Sequence, residues 1–515
     1  MAYPQMCFAA TRIHEDSLVG RRREAVITNT LSYQLDVLKR TGRYDAFSLR
    51  WHSSYSDPPE VWPIPNHLFW DSDVAKWIEG ACYILKQRHL PAIEDAVSEL
   101  VDMIRTAQQP DGYINIHYTV VEPGKRFTNL RDMHELYNAG HLIEAALAHH
   151  DLHGNDMLLE PILHYVELLC HNFGPGENQI HGYPGHPEIE LALLRLYERT
   201  QDSKHLKLAE YFLTERGNPH GCEGGHYYDV EAKRRGDDPH KQAAFYPSPR
   251  SLWYHQAHQP IQDQVMVEGH SVRTVYLLTA VADLCRVGPM AAPHKLQSAL
   301  YRLWDNMVDR KMYVTGGIGS IKQWEGFGID YFLPQGTDEG GCYSETCAAI
   351  GVMMLAQRIL QLDCNSRFSD IMELCFYNAV LTAMSHDGKA FTYVNQLASS
   401  ETDLSKREDW FTVACCPPNI LRLLAQIGGY VWNTHVDCSG VGHVAVHLYV
   451  SSELDLRVRA GEVKIRQETK WPHEGDVHFS ITPSQGMVSL MLRIPGWAGE
   501  YSVSLWQSRT IELNR

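Results

Sequence analysis

The chain has 515 residues, 44% of them apolar and 21% charged, with a formal charge of −16. That is ample for a large core and too long for one small domain. The acidic balance, with no basic run longer than Lys233–Arg235, excludes a surface built to track phosphates. No apolar stretch approaches the roughly 18 residues of a membrane span. Residues 1–17 show no basic start leading into an apolar run, so a cytoplasmic protein without membrane contact is expected.

An apolar period of about 3.6 residues predicts helices near 21–40, 72–87, 90–108, 132–151, 156–172, 187–200, 204–216, 268–286, 292–308, 344–362, 367–385 and 417–432. Breakers such as "QQPDGY", "FGPGENQIHGYPGHP" and "VGPMAAPH" separate them. Helices that come in such pairs suit a closed toroid of hairpins, the (α/α)6 barrel. A helical solenoid is the rival architecture, and no repeat period supports it. Residues 217–267 carry no clear period but are rich in His, Tyr and Gln, which marks a long, ordered, functional loop. After about 437 the texture becomes a two-residue alternation in "GHVAVHLYV", "LRVRAGEVKIRQET", "DVHFSITP" and "VSLMLRIPGWA". The expected organisation is mainly α, with a barrel over 1–436 and a β-sandwich-like domain over 437–515 that stops short.

Twelve cysteines spread over such a length are not a disulfide framework. Cys82, Cys170, Cys285, Cys364 and Cys375 fall in helical apolar stripes, where a thiol is a small buried hydrophobe. Cys347, Cys415 and Cys416 instead stand at element boundaries beside polar residues. In "FTVACCPPNILRLL" a proline follows the thiol pair, which disfavours helical geometry at Cys416 while suiting the first turn of a helix. Both thiols are therefore expected just outside a helix N-terminus, where the dipole favours thiolate. In "GGCYSETCAAIGVMM", Glu345 and Cys347 also stand at the start of an apolar helix. One carboxylate and three thiols brought together would need a cation of sulfur affinity, for which zinc is the natural candidate. From composition alone, buried thiols weigh more than metal binding.

Histidines recur at helix starts. His134 and His141 in "MHELYNAGHLIEAALAHH" lie seven apart, hence on one helix face, while His186 and His270 each open a helix. Each alone is more often structural, but helix ends of a barrel converge on one mouth. "HELYNAGH" is not the zinc-protease HExxH pattern. The segment "YVTGGIGSIKQWEGFGIDYFLPQGTDEGGCYSETC" combines Gly and aromatics with Glu325, Asp330, Asp338 and Glu339. Close backbone approach and aromatic planes suit a sugar, and a carboxyl near a nucleophile suits glycoside hydrolysis. A solvated acidic loop is an equal alternative.

The strings "HELYNAGHLIEAALAHH", "GHPEIELALLRLY", "WYHQAHQPIQDQ", "VEGHSVRTVYL", "YVTGGIGS", "EGFGIDYFLP", "YSETCAAIG", "FTYVNQLAS" and "CCPPNILRLLAQIGGYVW" together resemble glycoside hydrolase family 127, the β-L-arabinofuranosidases. The resemblance runs from about residue 10 to 500, in the family's order. It implies an (α/α)6 barrel with β-sandwich domains and a zinc-dependent, retaining hydrolysis of β-L-arabinofuranosides. By motif it implies Cys415 as nucleophile and Glu325 as acid/base. The same motifs imply Glu345, Cys347, Cys415 and Cys416 as ligands of Zn2+, and His141, His186, His270 and Tyr393 as holders of the sugar. The expected partner is a small glycoside or oligosaccharide, and a homodimer is left open. The link over 335–344, with Cys342, is longer than the family's usual one. The alternatives are a hydrolase or epimerase for another sugar on the same barrel, or a non-catalytic sugar-binding protein with structural zinc.

Overall fold

Two concentric layers of helix follow from two kinds of burial pattern. The computed structural model describes residues 4–59, 64–238, 252–288, 293–459, 461–483 and 488–504. Among them the barrel helices are α1 (Leu31–Arg40), α2 (Trp70–Leu85), α3 (Pro91–Ala107), α4 (Glu135–His153), α5 (Leu159–Asn172), α6 (Ile189–Thr200), α7 (Ser203–Glu215), α8 (Ser271–Val287), α9 (Pro293–Arg310), α10 (Thr346–Ile359), α11 (Ser366–Cys375) and α12 (Cys416–Ala425). The even-numbered helices form the inner layer. Every residue of α2 from Trp70 to Ile84 is buried, whereas α3 buries one stripe that includes Ile93, Val97, Leu100 and Ile104. A helix buried all round must lie inside, and one with a single apolar stripe must lie outside.

The inner ring closes, with α2 packed on α4, α4 on α6, α6 on α8, α8 on α10, α10 on α12 and α12 back on α2. This is the expected (α/α)6 barrel. Small residues let the inner helices approach: a Cβ at Gly80 would lie 2.7 Å from Leu421 Cγ, and one at Gly351 would lie 2.2 Å from Val275 Cγ2. Ion pairs tie the same helices laterally, the buried Arg422 to Glu79 at 3.1 Å, Arg358 to Asp283 at 3.0 Å and Arg195 to Glu144, and the half-buried Arg286 to Glu198 at 2.6 Å.

Several details depart from the periodicity. The run expected over 21–40 is Leu18–Ala25 and α1 joined by a wider turn at Val26–Thr30, and α11 passes into a similar turn at Phe376–Val380. A helix, Tyr227–Arg235, lies inside the stretch that showed no period; it is short and mostly polar or aromatic. Residues 239–251 of that stretch lie outside the described residues. Cys82 and Cys375 are buried as expected, but Cys170 and Cys285 are half-buried and Cys364 is exposed, because it sits in the turn between α10 and α11.

The sheet region begins at Trp432. Strands β1 (Thr11–Ile13), β2 (Trp432–Val436), β3 (Gly442–Val446), β4 (Ser452–Val458), β5 (Gly461–Thr469), β6 (Val477–Pro483) and β7 (Val488–Met491) form two sheets, ordered β1-β4-β5-β6 and β2-β3-β7. The first is antiparallel throughout, while β3 and β7 pair in parallel. Alternation sets which face is covered: Leu454, Leu456 and Val458 on β4 point inward with Val463 and Ile465 on β5. The three-residue β1 comes from the far end of the chain and was too short for a pattern to reveal. Arg493 joins the sheets to the barrel, reaching Asp370 at 2.8 Å and Glu373 on α11. Among the described residues, no helix is long and apolar enough to cross a membrane.

Candidate active site

The inner helices begin at one end of the ring, and the residues that start them meet there. Phe69 precedes α2, His134 α4, Glu188 α6, His270 α8, Glu345 α10 and Cys415 α12. The rings of Phe69 and His134 are 4.6 Å apart, those of His134 and His186 5.6 Å, and those of His186 and His270 5.8 Å. Convergence of histidines at one mouth is therefore found. His134 differs from expectation: it precedes α4 with a φ of 20° and so does not share a helix face with His141.

Glu345, Cys347, Cys415 and Cys416 come together with one donor atom each inside a 4.8 Å span. Cys415 Sγ lies 3.0 Å from Glu345 Oε1 and 3.1 Å from Tyr393 Oη; Cys416 Sγ lies 3.3 Å from Cys347 Sγ. Glu345 Oε2 is buried and has no hydrogen-bond partner among the described residues. Three sulfurs and a carboxylate whose second oxygen is buried without a partner are a donor set that fits a metal ion with sulfur affinity.

Cys415 stands just before α12, as expected, but Cys416 does not. Cys416 is the first residue of α12, and Cys415, at φ −72° and ψ −40°, is already helical. Prolines 417 and 418 remove two N–H groups from the first turn, and that of Asn419 is committed to Cys415 O at 3.2 Å. Few donors remain to favour a thiolate there. Without a cation, burial pushes the Cys415 and Cys416 thiols up and the Glu345 carboxyl well up, the last also under the negative charge of Cys415. Cys347 goes the other way, to about 6: burial raises it, but hydrogen bonds from Cys415, Cys416 and Asn419 outweigh that.

Glu325 closes the opposite side. It sits at φ 53° after the turn Lys322–Trp324, its carbonyl held by the Ser271 N–H and hydroxyl, both at 3.0 Å. Its carboxyl accepts from His270 Nε2 at 2.9 Å and from the Tyr343 hydroxyl at 2.7 Å. His270 Nδ1 accepts from the Val272 N–H at 3.2 Å, which leaves Nε2 as the protonated nitrogen. Burial raises the Glu325 pKa, but these bonds more than offset it and hold the group below its ordinary value. His270, Glu325 and Glu345 offer atoms within 4.8 Å of one another. Of the other acids in this segment, Asp330 pairs with Arg310 at 2.9 Å, and Asp338 and Glu339 are exposed.

The remaining candidates line the interior. His186 Nδ1 donates to its neighbour's carbonyl, Pro187 O, at 2.8 Å. His141 Nδ1 is 3.1 Å from Glu188 Oε1, yet neither side chain makes a well-directed hydrogen bond among the described residues. Burial raises Glu188 to about 8 and lowers His141. Tyr137 lies between His141 and His186 and accepts from Lys76 Nζ at 2.7 Å. Sequence reasoning missed Tyr343, Glu188, Tyr137 and Lys76; Tyr343, Glu188 and Tyr137 lay inside the quoted motifs, but no spacing rule singles them out.

Comparison with known proteins gives the family. Residues 13–429 match the model described as "Beta-L-arabinofuranosidase, GH127 catalytic domain", and 443–510 match the corresponding middle domain. The chain is 36% identical over 457 residues to a non-reducing end beta-L-arabinofuranosidase of Bifidobacterium longum subsp. longum, covering 85% of this chain and 66% of that one. The chain thus spans about two thirds of the length of this relative. It resembles the crystal structure of a GH127 beta-L-arabinofuranosidase from Geobacillus stearothermophilus T6, with 37% identity and a TM-score of 0.83 over 95% of this chain and 75% of that one. A second GH127 beta-arabinofuranosidase structure matches with 31% identity and a TM-score of 0.80, over 96% of this chain and 72% of that one. On its family match and its likeness to these relatives, this chain belongs to the GH127 beta-L-arabinofuranosidase family of glycoside hydrolases.

Proposed function

We propose that the chain is a retaining hydrolase that removes β-L-arabinofuranosyl groups from glycosides or oligosaccharides, with Cys415 as nucleophile and Glu325 as acid and base. The observation that carries this reading is the placing of Cys415 Sγ 3.0 Å from Glu345, which itself lies within 4.8 Å of Glu325. A sulfur and a carboxyl then flank one small volume at the barrel mouth. Bound zinc, held by Glu345, Cys347, Cys415 and Cys416, would supply the positive charge that keeps the buried sulfurs ionised.

In the first half-reaction the Cys415 thiolate forms an S–C bond at the anomeric carbon. The C–O bond to the departing group breaks, and protonated Glu325 gives that oxygen its proton. In the second, Glu325 takes a proton from water, whose oxygen displaces the sulfur. Two inversions give net retention. His141, His186 and Tyr393 are assigned to the sugar hydroxyls. His270 and Tyr343 serve by holding Glu325.

The test is hydrolysis of 4-nitrophenyl β-L-arabinofuranoside, with and without chelator and reductant. Folded Cys415→Ala and Glu325→Gln proteins should lose turnover by several orders of magnitude. A closed four-donor set is also what structural zinc uses. Under that second reading Cys415→Ser unfolds the protein, and no glycoside in a panel of furanosides and pyranosides is cleaved.

A further inference from the structure

Below the four donor atoms lies a buried polar chain that neither the proposed reaction nor the family match assigns. Asn419, on the first turns of α12, is 1% exposed, and its Nδ2 lies 3.0 Å from Cys347 Sγ. Arg422, one turn on, donates from Nε to Asn419 Oδ1 at 2.7 Å. Its other nitrogens reach Glu79 Oε2 on α2 at 3.1 Å and the Tyr276 hydroxyl on α8 at 2.9 Å. A guanidinium has donors only, so the amide atom facing Arg422 must be the oxygen, and the NH2 group is thereby turned toward the sulfur. The whole chain, from Glu79 through Arg422 to Asn419, is buried, so the amide has no room to exchange its two ends.

We infer that Asn419 is a positioning residue of the metal centre: its amide donates to Cys347 Sγ, while Arg422 and Glu79 lock the direction of that bond from the floor of the barrel. The inference rests on the metal reading given above. An N–H donor to a ligating sulfur draws off part of its negative charge and fixes the direction of its remaining lone pairs. The bond also ties the ligand on α10 to the helix that carries Cys415 and Cys416. Ligands from two helices thus keep one relative position before the ion arrives.

Asn419→Asp isolates this role, because the carboxylate still accepts from Arg422 while an oxygen replaces the donor that faces sulfur. Zinc affinity, read by competition with a chromophoric chelator, should fall by about 10–100-fold. In the cobalt(II)-loaded protein, the sulfur-to-cobalt charge-transfer band should move to lower energy, because the sulfur becomes more electron-rich. Should this variant not fold, Asn419→Ser, whose hydroxyl is too short to reach the sulfur, carries the same two readouts. Zinc affinity within about twofold of wild type together with an unmoved band overturns the inference and leaves the metal reading intact. Absence of any cobalt–thiolate band from the wild-type chain overturns both.

Discussion

Glu325 shows how single contacts set the chemistry of a buried acid. Burial alone would raise its pKa, yet the Nε2–H of His270 and the hydroxyl of Tyr343 hold it below its ordinary value. The proposed first half-reaction needs the protonated carboxyl, so kcat/KM should decline as pH rises through the pKa of Glu325. Tyr343→Phe removes a donor that favours the charged form and leaves the burial in place. The pKa then rises, and the alkaline limb of the kcat/KM profile moves to higher pH. A limb that stays put, or moves down, would show that Tyr343 does not act through Glu325. At this scale the sequence was legible where a residue sits in a motif of unusual chemistry, as do Glu345, Cys347, Cys415 and Cys416. It was not legible where a role depends on a partner far along the chain. Tyr343 meets Glu325 through a turn, and Asn419 meets Cys347 between two helices. With no cation bound, the Cys415 and Cys416 thiols also depart from the expected thiolate, because burial and the neighbouring Cys347 push them up.

Among elements, what decides the barrel is how closely inner helices approach. Gly351 on α10 faces Val275 on α8, and a Cβ there would stand 2.2 Å from Val275 Cγ2. Val275 is fully buried and has no open side to move toward. Gly351→Ala gains helix propensity, since Ala exceeds Gly by about 1 kcal/mol, but overpacking a closed core costs about 1–3 kcal/mol. Net loss of stability is expected, read as a lowered urea midpoint with unchanged slope, and a gain would mean that the two helices can part. The predicted helix positions agree well with the structure because long apolar periods leave little choice of face. The strand Thr11–Ile13 and the helix Tyr227–Arg235 escaped because neither is long enough, or apolar enough, to show a period. Closure of the ring could be expected from paired helices, but the order of contacts around it, α12 back against α2, is a tertiary fact.

Across the whole molecule, the barrel and the sheets are held by charge as well as by apolar contact. Arg493, its side chain 2% exposed, reaches Asp370 and the largely buried Glu373 on α11, and the Gly496 N–H adds a bond to Asp370 at 2.8 Å. Burial already lifts the Glu373 pKa, with Arg493 pulling against it. Arg493→Ala leaves that carboxylate buried without its cation, a change that costs about 3–5 kcal/mol in comparable buried pairs. The sign of its pH dependence follows from linkage. Without Arg493 the folded-state pKa of Glu373 rises further above its unfolded value, so folding favours the protonated form. The Glu373 part of the penalty is therefore small in acid, where both proteins are protonated there, and grows as pH rises from the folded-state pKa of the wild type toward that of the variant. Urea titrations of both proteins at mildly acidic and mildly alkaline pH should show a gap in stability that widens with pH. Limited proteolysis of the variant should release fragments of the region after Trp432 while the helices remain intact. If the gap is constant across pH, Arg493 contributes through packing rather than charge. If both regions are cut together, the two unfold as one unit, with no separate opening of the sheets.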